Sequence, residues 1–397
     1  MQVTLISREY PPNVYGGAGV HVKFLVRELK KTLQVDVRCF GEQRLEDGRL
    51  TVRGYRAWDR MWEGAEPRYN QALGTFTVGL SMIRDTVDSD VVHTHTWYAA
   101  LAGFWAKVLY GVPLVCTVHS LEPLRPWKEE QLGSSYRMST WAEKTALENA
   151  DRIIAVSQQS REDILRWFEV DPTRVSVIHN GIDLDLYRRL DAEDTRKAFG
   201  INGDYILFVG RVSRQKGIEH LINAMPHINP NVKLVCCTSA PDTQEFEQEI
   251  AGRIAEDPRI IWISSLLRED QYVELYSNAR VFVCPSVYEP FGIINLESMA
   301  CETPVVASRT GGILETVVDA ETGLLVEPGE PRAIAEAVNH LLADRDKATT
   351  FGRNGRRRVE DHFSWSKIAE QTIELYREVV GTWRAERRNS TLRQDAR

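Results

Sequence analysis

The chain has 397 residues, a formal net charge of −7 at pH 7, 43% hydrophobic and 26% charged residues. That length predicts two domains of ordinary size, and the acidic balance excludes the electrostatic footprint of a protein that binds nucleic acid or an anionic membrane. Six cysteines without Cys-x-x-Cys spacing read as small core residues in a reducing cytoplasm, not as zinc ligands or disulfides. The opening MQVTLISREYPP lacks the basic and apolar regions of an export signal, and the most apolar window, AALAGFWAKVLYGVPLVCTVH, is interrupted by Lys107 and by Gly111-Val112-Pro113. Neither pattern predicts secretion or a membrane span.

Short runs of Val, Ile and Leu alternate with amphipathic stretches, the pattern of stacked βαβ units and a parallel sheet. In the first half, strands are expected at Val3-Ser7, Val35-Phe40, Val91-His95, Leu114-His119, Ile153-Ser157 and Val175-His179. Ligands of such sheets collect beyond the carboxyl ends of the strands. The first strand is followed by REYPPNVYGGAGVHVKFLVREL, where Gly16-Gly17-Ala18-Gly19 opens a helix and frees N–H groups for an anion. The spacing is wrong for a dinucleotide-binding G-x-G-x-x-G, which disfavours a hydride-transferring dehydrogenase; a turn that serves packing alone is the alternative.

The third and fourth strands end in HTHTWYAAL and TVHSLEPLRPWKEEQL. Strand alternation puts His93 and His95 on one side, but no Cys or Asp stands nearby as a third ligand, so no metal site is expected. His119, at a strand exit, suits hydrogen bonding to a polar ligand, against a purely structural histidine. Arg125, Trp127 and Lys128 set cations beside a ring, which suits a sugar phosphate.

DLDLYRRLDAEDTRKAFGINGD is polar, weakly periodic and a natural linker. Beyond it, strands are expected at Tyr205-Gly210, Lys233-Cys237, Ile260-Ile263, Val281-Pro285, Pro304-Ser308 and Gly323-Val326, which makes a second doubly wound domain. Arg211 and Lys216 in LFVGRVSRQKG leave a strand end and suit a diphosphate. In YEPFGIINLE, Pro290 is expected at the first helical position, with Glu289 at the cap and Phe291, Gly292 and Ile293 offering N–H groups. Continuous helix from there would set Glu297 roughly 10–12 Å from Glu289. Glycosidase carboxylates face one bond at about 5–9.5 Å. The spacing therefore fits one elongated nucleotide sugar lying along the helix start. Near the end, Ile368, Ala369, Thr372, Leu375, Tyr376, Val379 and Val380 form one apolar helical stripe, and RAERRNSTLRQDAR reads as a disordered tail over 384–397.

With EYPPNVYGGAGVHV, HTHTWYAAL, TVHS, VSQQSREDI, VIHNGID, VGRVSRQKG and PSVYEPFGIINLESMACETPVVASRTGG in place, the sequence resembles the retaining GT-B glycosyltransferases of family 4, of the bacterial glycogen synthase and maltose-1-phosphate synthase type, from about Met1 to Val380. The resemblance implies an α/β GT-B fold of two Rossmann-like domains with an interdomain active-site crevice. An acceptor-side domain would cover 1–190, joined by a helix at about 365–383 that crosses back to it, and a nucleotide-sugar domain 200–364. It implies that Gly16 and Gly17 approach the donor, Arg211 and Lys216 grip its diphosphate, and Glu289 bonds sugar hydroxyls. Phe291, Gly292 and Ile293 would line the donor, Glu297 would bind its ribose, and His119 would hold the transferred glucose. The acceptor side would comprise Tyr15, His95, Thr96, Trp97, Arg125 and Lys128. Front-face attack, with the leaving phosphate taking the acceptor proton, would need neither a protein nucleophile nor a metal cofactor.

Longer glycogen and starch synthases carry a Lys-Thr-Gly-Gly loop and His-Asp-Trp; here Tyr15 precedes Gly16 and Thr96 follows His95. That departure favours an acceptor smaller than a glucan, glucose 1-phosphate, with a glucan end still open. The expected reaction moves α-glucose from ADP-glucose or UDP-glucose to a 4-hydroxyl, with a homodimer as one admissible assembly. The alternatives are a family 4 transferase with another sugar and a small or lipid acceptor, and a catalytically silent nucleotide-sugar binder.

Overall fold

The computed structural model describes residues 1–60, 69–129, 133, 135–239, 241–265 and 267–395. The chain forms two compact units, Met1–His179 with Trp365–Arg397 and Asn180–Ser364.

The first unit is built on an eight-stranded sheet. Its strands are β1 (Gln2–Ser7), β2 (Gln34–Phe40), β3 (Arg44–Asp47), β4 (Leu50–Tyr55), β5 (Val91–His95), β6 (Leu114–Val118), β7 (Arg152–Ala155) and β8 (Val175–Val177). They lie in the order β3-β4-β2-β1-β5-β6-β7-β8, all parallel except the β3–β4 pair. β5 and β6 are buried along their whole length, as expected of strands covered on both faces. The β3–β4 hairpin is absent from the expected strands. β3 is exposed throughout and has no apolar alternation. The Asp47-Gly48 step, with Gly48 at φ 59°, is the turn signal that marks it.

The second unit holds β9 (Tyr205–Arg211), β10 (Lys233–Ser239), β11 (Ile260–Ile263), β12 (Val281–Cys284), β13 (Val305–Ser308) and β14 (Gly323–Val326), in the order β11-β10-β9-β12-β13-β14. All five pairings are parallel. Strand order reverses between β1 and β5 in one sheet and between β9 and β12 in the other. Each reversal opens a crevice at the carboxyl ends, where a doubly wound sheet takes its ligand.

The C-terminal helix, Trp365–Asp395, belongs to the first unit and buries the expected stripe from Ile368 to Val380. Trp365, 2% exposed, packs against His21 and Phe24 at ring-centroid distances of 5.2 and 5.8 Å. The helix also runs through 384–395, where composition predicts a disordered tail. Polar contacts hold its first part: Arg384 pairs with Asp90 at 2.5 Å, and Arg387 donates to the Gly111 carbonyl at 3.0 Å.

Trp365→Ala removes the largest buried side chain of this helix and is expected to destabilise the first unit by about 3–5 kcal/mol. Urea unfolding followed by probes placed separately in the two units measures it. An unchanged midpoint for the first unit would show that the helix contributes nothing to its core.

Candidate active site

In the first unit the glycine loop follows β1. Gly16 caps the helix Gly17–Leu29 in extended backbone. The N–H groups of Tyr15 and Gly16 both donate to Glu9 Oε2, at 2.7 and 2.9 Å. The anion expected at this loop is thus matched by the chain's own carboxylate. The glycine that packing demands is Gly19, where a Cβ would stand 2.4 Å from Glu9 Oε2; at Gly16 it would meet nothing within 4 Å. Glu9 was not among the expected site residues, and its pairing with a loop six residues away has no local signal. Tyr15 is 66% exposed.

At the end of β5, Thr96 adopts φ 65°, ψ 164°, a region that only glycine visits freely. Three successive residues leave buried polar atoms without a partner: His95 Nε2, Thr96 Oγ1 and Trp97 Nε1. Strain and unpaired polar atoms at one strand end are features of a ligand site. His95, expected among the acceptor contacts, is 0% exposed and makes its contact to another histidine.

His119 lies one residue past β6, with Nε2 3.0 Å from His95 Nδ1. His21, from the glycine-loop helix, brings its ring to 4.7 Å from that of His119 and 5.3 Å from that of His95. One ring nitrogen each of His21, His95 and His119 falls within 4.8 Å of the others, a grouping that could hold a metal ion. The expectation that no further ligand stands near His95 is therefore corrected. Its neighbours are two more histidines, one of them 74 positions earlier and placed only by the fold. His93 is engaged elsewhere, with Nδ1 2.6 Å from Tyr376 Oη and Nε2 2.7 Å from Thr117 Oγ1. Burial, reinforced by the neighbouring histidines, holds His95 and His119 well below the usual range and pushes His93 down to about 3. These rings are neutral at pH 7.

The loop after β6 divides the expected pair of cations. Lys128 is 5% exposed and its Nζ sits 2.6 Å from Glu122 Oε1. Burial lowers its ammonium to about 8. Lys128, expected as an acceptor-phosphate contact, is thus engaged in an internal ion pair with a buried glutamate six residues away. Arg125 stands 3.8 Å from the same oxygen, bonds Ser120 Oγ at 3.3 Å, and has a buried Nε without a partner.

In the second unit, Arg211 ends β9 and pairs with Asp242, while Lys216 Nζ lies 2.5 Å from Glu289 Oε2. Ser286 Oγ donates to the same Glu289 oxygen at 3.2 Å. Gln215 ties the two loops by donating to the Tyr288 carbonyl at 3.1 Å. Two glycines allow the approach: a Cβ on Gly217 would stand 2.1 Å from the Pro285 carbonyl oxygen, and one on Gly311 2.1 Å from that of Glu289. The structure thus joins two of the expected diphosphate and sugar contacts, Lys216 and Glu289, directly to each other.

The helix after β12 starts at Ile293, not at Pro290, with Gly292 as its cap at φ 90°. Glu289 and Phe291 therefore precede the helix, and the 10–12 Å separation derived from continuous helix does not apply. Phe291 packs inward, 2% exposed, against Phe363 at a ring-centroid distance of 5.9 Å. Glu297 accepts from Tyr187 Oη at 3.1 Å and Tyr276 Oη at 2.9 Å. Burial raises its carboxyl above the ordinary range, an effect those two hydrogen bonds oppose.

Among the described residues no helix is long and apolar enough to cross a membrane. Family models for "Glycosyltransferase Family 4" and "Glycosyl transferases group 1" match residues 15–186 and 191–358. The chain is 47% identical over 396 residues to alpha-maltose-1-phosphate synthase of Mycolicibacterium smegmatis, covering 96% of this chain and 100% of that protein. It is 30% identical over 335 residues to the D-inositol 3-phosphate glycosyltransferase of Mycobacteroides abscessus, covering 80% of this chain and 73% of the other. Sucrose-phosphate synthase from Thermosynechococcus elongatus superposes with a TM-score of 0.83 at 29% identity, over 96% of this chain and 99% of that one.

The buried neutral histidines bear on acid stability. Their folded pKa values lie below the unfolded value near 6.5, so the unfolded chain binds more protons as pH falls and stability drops with it. The first unit is expected to lose about 1.4 kcal/mol per pH unit for each such histidine below pH 6.5. Urea midpoints of that unit at pH 7 and 5.5 check this, and a midpoint indifferent to pH would refute it.

Proposed function

We propose a donor, an acceptor and residue roles from one premise: the chain belongs to the retaining GT-B glycosyltransferases of family 4. The reaction is transfer of α-glucose from ADP-glucose, or UDP-glucose, to the 4-hydroxyl of glucose 1-phosphate, which yields maltose 1-phosphate. The observation that carries this reading is the 47% identity to an alpha-maltose-1-phosphate synthase along that protein's entire length.

The second unit supplies the donor contacts. Arg211 and Lys216 bind the diphosphate, bidentately and as a point charge. Their partners within the chain are Asp242 and Glu289, so each cation is held in place without being left unpaired. Glu289 bonds sugar hydroxyls, Gly292 and Ile293 face the donor, and Glu297, oriented by its two tyrosines, takes the ribose. In the first unit, Gly16 and Gly17 border the donor and His119 holds the transferred glucose. Tyr15, Thr96 and Trp97 form the acceptor side, where the unpartnered Oγ1 and Nε1 suit a sugar's hydroxyls. Arg125 meets the acceptor phosphate.

The departing phosphate takes the acceptor proton on the face it leaves, so the chain provides positioning and charge stabilisation, with no nucleophile and no metal required. All six cysteines are free and buried, which supports a reducing, cytoplasmic setting.

ADP-glucose and UDP-glucose, each incubated with glucose 1-phosphate or with glycogen, test the reading. Maltose 1-phosphate is the expected product; extension of glycogen alone would move the acceptor to a glucan end, and no product in any pairing would remove the proposal. Glu289→Ala is expected to lower kcat roughly 10²–10³-fold. Glu297→Ala is expected chiefly to raise the donor KM, about 10-fold. Equal loss of kcat with unchanged KM in both would contradict their separate roles.

A further inference from the structure

Among the histidines at the ends of β5 and β6, only His119 is partly open to solvent, and what it presents there depends on which nitrogen carries its proton. A neutral imidazole has one N–H and one lone pair. His95 Nδ1 and His119 Nε2, 3.0 Å apart, are within N–H···N hydrogen-bond distance, so one donates and the other accepts. That single contact couples the protons of both rings.

Two arrangements satisfy it. In the first, His119 Nε2–H donates, His95 then carries its proton on Nε2, and His119 Nδ1 is a lone pair. His95 is 0% exposed and its Nε2 has no partner, so this arrangement strands an N–H in the core at a cost of about 1–3 kcal/mol. In the second, His95 Nδ1–H donates, and His119 keeps its proton on Nδ1. The atom left over is a lone pair among imidazole rings, the nearest being His93 with its centroid 4.3 Å from that of His95. A stranded acceptor carries a penalty of the same order, but here the C–H groups of the neighbouring imidazole rings can offset part of it, whereas they offer a stranded N–H no acceptor.

We propose that His95 is a positioning residue that holds His119 in the Nδ1–H tautomer. Among the described residues His119 Nδ1 makes no hydrogen bond, so its proton is available to a sugar or phosphate oxygen. The consequence for turnover rests on the reading that His119 contacts the transferred glucose. A donor there meets the hydroxyl oxygens of the sugar or the oxygen that gains charge as the phosphate departs. The opposite tautomer would offer that oxygen a lone pair.

A metal ion on His21, His95 and His119 is the competing use of the same rings. It requires tetrahedral ligand atoms to converge to roughly 3.3 Å at Zn–N distances of 2.0–2.1 Å, and a metal-bound imidazole normally donates its other N–H to an acceptor. His95 has no such acceptor.

The test is ¹⁵N–¹H correlation NMR of the full chain labelled at histidine, at pH 7.5, with the His119 signals identified by their loss in His119→Gln. The expected result is a proton on His119 Nδ1. His95→Phe removes the donor and is expected to shift His119 toward the Nε2–H form that free histidine favours, lowering kcat roughly 10-fold while donor KM moves less than 3-fold. His95→Asn, whose amide N–H can replace Nδ1–H, is expected to keep the Nδ1–H form and more of kcat than His95→Phe. A proton on His119 Nε2 in the unaltered chain would overturn the proposal even if transferase activity is present. So would one equivalent of Zn²⁺ retained after dialysis and lost in His95→Phe. Nδ1–H in a chain inactive on every nucleotide sugar would instead leave the tautomer assignment standing and remove the catalytic reading.

Discussion

A parallel sheet delivers the carboxyl ends of all its strands to one edge, and nearly every polar group discussed above lies at such an edge. β1, β5 and β6 bring the glycine loop, Thr96 and His119 there in the first unit; β9 and β12 bring Arg211 and Glu289 there in the second. Residues far apart in sequence are thereby packed together, and a buried polar or charged group must be paired, neutralised or aimed at a ligand.

The two units meet that demand differently. The second keeps its charges and pairs them: Lys216 with Glu289, Arg211 with Asp242, the Glu297 carboxylate with two tyrosine hydroxyls. The first gives up charge, since burial holds its clustered imidazoles neutral. Paired ions suit the capture of a diphosphate, which exchanges one anion for another. Neutral rings suit a sugar, which offers hydroxyls and no charge. Other groups of the first unit do not follow that rule: Lys128 pairs with Glu122, the Glu9 carboxylate holds the glycine loop, and buried polar atoms at residues 95–97 and Arg125 Nε have no partner.

Much of this was legible in the sequence. The expected strands correspond to all those observed except β3 and β4: buried parallel strands are continuous apolar runs, whereas β3 is exposed and polar and β4 interrupts its buried positions with Thr51 and Arg53. The Pro-Phe-Gly step predicts a helix start three residues early: Pro290 suits a first helical turn, but the left-handed Gly292 defers the helix to Ile293. The sequence presents Lys128 as a cation suited to a sugar phosphate, because its partner, Glu122, becomes a buried acceptor only when the fold closes around it.

The sequence by itself determined the two doubly wound sheets, the positions of Arg211, Lys216, Glu289, Glu297 and His119 beside strand and helix ends, and the family. These are matters of local period and spacing, which chain chemistry dictates within a few residues. Only the tertiary structure decided partners: His21 with His95 and His119, Lys216 with Glu289, Glu9 with the glycine loop, Tyr187 and Tyr276 with Glu297. Apart from Glu9, which lies in the glycine loop itself, those pairings join residues on different elements or loops. Which of them meet depends on strand order and on where each strand ends, and no local pattern encodes either.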